Sequence, residues 1–301
     1  VQKELEDLKA KPDDGYRERY EKERADFEAY REKVSMADSE REKGGLYRKL
    51  LQEAGVDPRR LDAVMRVSDL SGVVVEDGRI KDADEIAEAV AESGIKANIA
   101  RGATLFGEDF DFETHPACRE LVALKEKWDG YDNGRIRVEA SVHGEYTSDY
   151  RLWDALSEFA INEKVGMHVH LSETKAEHEQ CLERNGLTPA QVLDCHHVFD
   201  VPTTAAHCVH LTQEDMQLLA KRRVSAVHCP VSNLKLASGC ADVMGMVKAG
   251  MNVCLGTDSV ASNNNLDLFE EIKACTLMAK AKTGAPTAIP AEAALMMATV
   301  C

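Results

Sequence analysis

From residue 84 onward, short apolar runs alternate with helix-like stretches, and this alternation limits the possible folds more than any other feature of the chain. The strand candidates are 95–100, 136–142, 165–171, 204–209, 224–228 and 252–256. The helix candidates are 84–93, 116–127, 149–162, 175–185, 212–222, 241–248, 266–283 and 290–299, with Gly94 closing the first of them. Strands separated by helices predict a parallel sheet with covering helices. Ahead of this region, Val73-Val74-Val75 is a β-branched run, and Glu76-Asp77-Gly78-Arg79 reads as a turn. The sequence has no fixed-period repeat and no low-complexity linker.

The opening of the chain has a different character. Its first fifty residues are densely charged with mixed signs, and apolar side chains such as Leu5, Leu8, Tyr16, Phe27 and Val34 are sparse. Gly44-Gly45 and then Asp57-Pro58 interrupt this region near its end. We therefore expect a charged helical arm over 1–65 and one α/β domain over 66–301, with the arm a solvated face lacking chemical content.

A net charge of -16 leaves no basic surplus to neutralise phosphates, which argues against nucleic acid and anionic membranes as partners. The nine cysteines form no CxxC pair, a pattern suited to a reducing compartment. No apolar stretch approaches the roughly 20 residues that span a bilayer, and the N-terminus has no leader-like pattern. The expected location is the cytoplasm.

The candidate functional residues stand at the ends of the strand-like runs. In Met167-His168-Val169-His170-Leu171-Ser172-Glu173-Thr174, His170 ends a strand, where an imidazole can bind a divalent metal. Glu173, three residues on, can reach the same cavity and shuttle protons. His168 shares the face of His170 if the run is extended; it is either a ligand or a hydrogen-bonded histidine lower in the sheet. Asp258 closes Val253-Cys254-Leu255-Gly256-Thr257-Asp258, as a metal ligand and proton acceptor or as a helix N-cap. His207 ends the run before a capping-box-like start at Thr212, and His210 competes with it for a role at the site. His143 also ends a strand and could contact substrate, with Gly144 letting the backbone turn tightly there. His228 is read as shaping its strand end, and His115, His178, His196 and His197 as solvated or structural. Histidines and carboxylates delivered to one rim by successive strands are what a barrel metallohydrolase requires.

Five stretches together resemble the amidohydrolase superfamily, and within it the S-adenosylhomocysteine and 5'-methylthioadenosine deaminases and the triazine chlorohydrolases. They are SVHGEYTS at 141–148, HVHLSET at 168–174, AHCVHL at 206–211, HCPVSNLKLASG at 228–239 and GTDSVASNNNLDLFEE at 256–271. The resemblance implies a distorted (β/α)8 TIM-like barrel whose strands four to eight carry these motifs. It implies His170 and Asp258 as metal ligands, with zinc the usual metal and iron an alternative. Glu173 would be the general acid/base, His207 would orient the attacking hydroxide or leaving group, and His143 would contact substrate. The implied reaction is hydrolytic deamination of an aminopurine nucleoside or related heterocycle.

The sequence departs from the family at one point. Members begin the barrel with an HxH pair on the first strand, whereas His115 is the sole histidine before His143 here. We expect a barrel incomplete at its first strands, with 73–80 resembling a strand and turn of the family's small β-sandwich. Exposed edges and apolar faces would favour a homo-oligomer. Two further readings are open: a metal-poor relative that binds a nucleoside-like ligand or serves as an assembly subunit, and a chlorohydrolase-type variant.

Overall fold

In the computed structural model, described for residues 75–76, 79–80, 83–107 and 109–300, six strands form one parallel sheet. They are β3 (Ala97–Ala100), β4 (Ile136–Val142), β5 (Gly166–Leu171), β6 (Thr203–His207), β7 (Ser225–His228) and β8 (Asn252–Leu255), and they lie side by side in chain order. Before them β1 (Val75–Glu76) pairs antiparallel with β2 (Arg79–Ile80), a small hairpin where the strand and turn were expected. The proposed arm over 1–65 lies outside the described residues.

Helices join the strands, as the alternation required. They are α1 (Ala83–Ser93), α2 (Pro116–Trp128), α3 (Tyr150–Glu163), α4 (Lys175–Asn185), α5 (Pro189–Cys195), α6 (Gln213–Arg222), α7 (Pro230–Lys235), α8 (Val243–Ala249), α9 (Val260–Asn263), α10 (Leu268–Thr283) and α11 (Ala291–Thr299). Their starts are local chemistry. Thr174, Thr188 and Thr212 each form a capping box with the residue three positions on, and Asp149, Asp242 and Asp267 cap through their carboxylates. Gly94 follows α1 with a left-handed φ of 80° and donates its N–H to the Val90 carbonyl, the expected helix stop.

The core lies where the sheet meets its helices. Strand β4 is buried on both faces along most of its length, as parallel strands covered by helices are. Leu121 and Leu124 of α2 and Leu152 and Leu156 of α3 are essentially inaccessible against it. Burial of each such side chain contributes about 1.5–3 kcal/mol. Strand β5 alternates, with Met167, Val169 and Leu171 buried and His168 and His170 on the other face, as period two predicts.

Helices α5, α7 and α9 escaped the sequence reading; they are seven, six and four residues long and display the 3.6-residue period poorly, although α8, also seven residues long, was marked at 241–248. The expected strand 204–209 ends at His207, where His207 and Cys208 adopt left-handed φ values of 72° and 51°. Gly144 is not a tight-turn residue; its φ of -173° is ordinary extended backbone. A Cβ there would stand 3.0 Å from the Tyr146 ring, a tight contact that would require the ring to shift. Among the described residues, no helix is long and apolar enough to cross a membrane.

Candidate functional site

The strand register brings three histidines together at the C-terminal rim. Val142 pairs with Val169, and Leu171 pairs with His207, so His143, His170 and His207 follow one another across β4, β5 and β6. The His143 and His170 rings are 4.8 Å apart, and the His170 and His207 rings stack at 5.4 Å. His170 Nδ1 lies 2.6 Å from the His143 carbonyl, which can only accept, so Nδ1 carries the proton and Nε2 the lone pair. Burial, reinforced by His143 and His207, pushes the His170 pKa down to about 3. A neutral imidazole with a fixed Nε2 lone pair is the form that ligates a cation. Thr147 donates its hydroxyl proton to the Gly144 carbonyl and accepts from His143 Nδ1 at 3.0 Å.

Glu173 sits on the loop after β5, with Oε2 3.7 Å from His207 Nε2 and Oε1 accepting from Ser238 Oγ at 3.1 Å. The loop is held from below. Glu177, on the first turn of α4, accepts the backbone N–H groups of Ser172 at 2.8 Å, Glu173 at 2.7 Å and Thr174 at 3.4 Å. Burial pushes the Glu177 carboxyl up to about 7, against those three N–H groups, which favour its charged form. Ser172 is left-handed at φ 46°, a conformation that costs a non-glycine residue roughly 1–2 kcal/mol.

Asp258 follows β8 and is also left-handed, at φ 61°. Its Oδ2 accepts from Ser232 Oγ and its Oδ1 from the Ser259 N–H, both at 2.6 Å. The helix cap at this strand end belongs to Ser259, whose side chain accepts from Ser262 N. Ser172, His207 and Asp258 thus carry uncommon backbone conformations at the ends of β5, β6 and β8. Backbone strain of this kind concentrates where side chains must be aimed rather than merely packed.

His170 and Asp258 each carry donor chemistry suited to a zinc-like cation. Among the described residues, no three His, Cys, Asp or Glu side chains gather as a metal-binding group. Catalytic zinc sites ordinarily take three protein ligands.

The remaining histidines divide by environment. His168 lies 3.8 Å from the largely buried Glu139 and is itself partly exposed. His210 bonds the Ser238 carbonyl at 2.7 Å through Nε2. His228 is fully buried and driven down to about 4 by burial, His207 and Lys282. His178 is buried beside Ser172 Oγ, while His196 and His197 pair with Asp154 and Asp200. His115 reaches the Thr104 carbonyl.

Sequence reasoning missed Glu177, Ser232, Asn233 and Ser238. The Thr174-x-x-Glu177 spacing was a readable helix-start signal. It did not show that Glu177 would also bind the loop carrying Glu173, and nothing in the spacing of the other three marked them.

A six-stranded parallel sheet with covering helices and ionisable groups on its C-terminal rim matches part of the layout of a barrel hydrolase. The model of the amidohydrolase family matches residues 75–300, and the chain belongs to that family. It is 44% identical over 217 residues to a 5-methylthioadenosine/S-adenosylhomocysteine deaminase of Caldanaerobacter subterraneus subsp. tengcongensis, covering 72% of this chain and 50% of that protein. Over the same number of residues it is 41% identical to a 5'-deoxyadenosine deaminase of Methanococcoides burtonii, with the same coverage. The crystal structure of an adenosine deaminase from Xanthomonas campestris with bound zinc superposes with a TM-score of 0.65 at 30% identity, covering 72% of this chain and 49% of that one. The chain spans about half the length of the curated relatives it matches.

Proposed function

We propose that the chain carries the strand-five-to-eight portion of the active site of an aminopurine nucleoside deaminase. The observation that carries this reading is the Glu173–His207 pair, 3.7 Å apart on the rim beside neutral His170, in a member of the amidohydrolase family. The relatives that act on 5'-methylthioadenosine, S-adenosylhomocysteine or 5'-deoxyadenosine support a substrate that shares an adenine ring.

In this reading Glu173 is the general acid/base. Its carboxyl protonates a ring nitrogen, which draws electrons from the carbon bearing the amino group, and takes up a proton as the nucleophile adds. His207, held through Nδ1, keeps Nε2 toward the reacting centre to orient the incoming or leaving group. His143 contacts the substrate. Asp258 accepts a proton on the far side of the rim. A divalent cation, held by His170, Asp258 and donors beyond the described residues, would supply the activated water.

The test is a panel of 5'-methylthioadenosine, S-adenosylhomocysteine, 5'-deoxyadenosine and adenosine, scored by ammonia release and conversion of the adenine chromophore. Turnover of at least one nucleoside is expected, and Glu173→Gln should abolish it while leaving bound metal unchanged. Unchanged activity in that variant removes Glu173 from the mechanism. A second reading is ligand binding without turnover. It predicts nucleoside binding in equilibrium dialysis with no ammonia released and no stoichiometric zinc or iron. Chloride release from a chlorinated triazine would instead support the chlorohydrolase variant.

A further inference from the structure

We infer that residues 230–239, the segment that follows β7, form a positioning template: Ser232, Asn233 and Ser238 each hold one of the three groups assigned to catalysis. Ser232 Oγ donates to Asp258 Oδ2 at 2.6 Å, Asn233 Oδ1 stands 3.0 Å from His207 Nδ1, and Ser238 Oγ donates to Glu173 Oε1 at 3.1 Å. The inference rests on the deaminase reading of Glu173, His207 and Asp258, and extends it to how those groups are aimed.

The geometry of the segment explains how one stretch reaches three strand ends. Consecutive residues on α7 point about 100° apart, so Ser232 faces the end of β8 while Asn233 faces the end of β6. The chain then reverses at Ala237, whose φ is 57°, and Ser238 comes back over the loop after β5. The segment is fastened at both ends. The buried carboxylate of Glu271 accepts the Val231 N–H at 3.1 Å, and His210 Nε2 bonds the Ser238 carbonyl at 2.7 Å.

Serine and asparagine next to a helix usually spend their side-chain hydrogen bonds on nearby backbone, as caps and turns. Here all three are buried, and all three bond side chains of the rim instead. Asn233 Nδ2 faces His228 Nδ1 at 3.5 Å, which leaves Oδ1 for His207. Because an amide oxygen only accepts, His207 Nδ1 carries a proton, and in the neutral ring the lone pair then lies on Nε2, the nitrogen facing Glu173. Ser238, by occupying Oε1, leaves Oε2 of Glu173 toward His207. A helix that merely plugged the rim would have no reason to fix a tautomer.

The deciding measurement is the imidazole nitrogen spectrum of the 15N-labelled full chain, with the His207 signals assigned by their loss in His207→Gln. A single Nδ1–H tautomer is expected in the unmodified protein; an Nε2–H tautomer, or fast averaging of the two, overturns the inference. Asn233→Ala should convert His207 to an averaged pair, and Asn233→Asp, which keeps an acceptor oxygen in place, should restore Nδ1–H. Retention of the single tautomer in Asn233→Ala also overturns it. The serines are tested by double-mutant cycles on melting temperature, Ser232→Ala with Asp258→Ala and Ser238→Ala with Glu173→Ala, each single variant removing one partner of the contact. In each cycle the double variant should shift by less than the sum of the singles, and additive shifts refute that contact. None of these readouts requires turnover. A fixed tautomer in a chain that deaminates nothing leaves the template standing and removes the deaminase reading; an averaged tautomer in an active enzyme does the reverse.

Discussion

His228 gives a quantitative prediction about acid stability. Its side chain is 1% exposed, and burial, with His207 and Lys282 adding like charge, holds its pKa at about 4 against an ordinary value of 6.5. An unfolded chain therefore binds a proton at this position between pH 6.5 and 4 that the folded protein refuses. The stabilisation is fully present above pH 6.5 and is lost as pH falls through 4. Integrating that difference from pH 7 to 4.5 gives a loss of about 2 kcal/mol from this one residue. The assay is urea unfolding across that pH range on the unmodified chain and on His228→Asn, which keeps an acceptor near the Nδ1 position facing Asn233. Groups titrating in both proteins, His170 among them, largely cancel in the comparison. The unmodified chain should lose about 2 kcal/mol more than the variant on acidification. Stability curves parallel to within about 0.5 kcal/mol would mean that His228 takes up its proton in the folded state and that the burial argument fails.

Two further outcomes are expected. Glu177→Ala strips the acceptor from the N–H groups of Ser172 and Glu173, and Ser172 is wholly buried. Unsatisfied buried groups cost about 1–3 kcal/mol each, so a loss of about 2–4 kcal/mol should appear in urea unfolding, with Glu177→Gln losing less. Gly166→Ala would set a Cβ 2.6 Å from Glu139 Oε1 and 2.9 Å from the Pro202 carbonyl. The carboxylate can swing away but the carbonyl cannot, so overpacking of about 1–3 kcal/mol should lower the melting temperature by several degrees.

The strand and helix sequence was legible because its signals are local. Thr212 and Asp215 cap the helix that the sequence marks there, and β5 alternates burial as its residues alternate in polarity. His143, His170, His207, Glu173 and Asp258 could be picked out because each stands where an apolar run stops. Their use as a set came from resemblance in the motifs, not from spacing. What failed was short or non-local. Helix α7 is six residues long, and the only sequence sign of Asn233 was its place in a motif.

The amino-acid order alone settled the alternation, the parallel sheet it implies, and which residues would end the strands, since caps and period-two patterns act between near neighbours. Only the tertiary structure decided which of those ends meet. Register set His170 between His143 and His207, and a reversal at Ala237 carried Ser238 back to a carboxylate 65 residues earlier in the chain. Contacts of that range depend on how strands align and how a loop folds over them, and no window of sequence contains both partners.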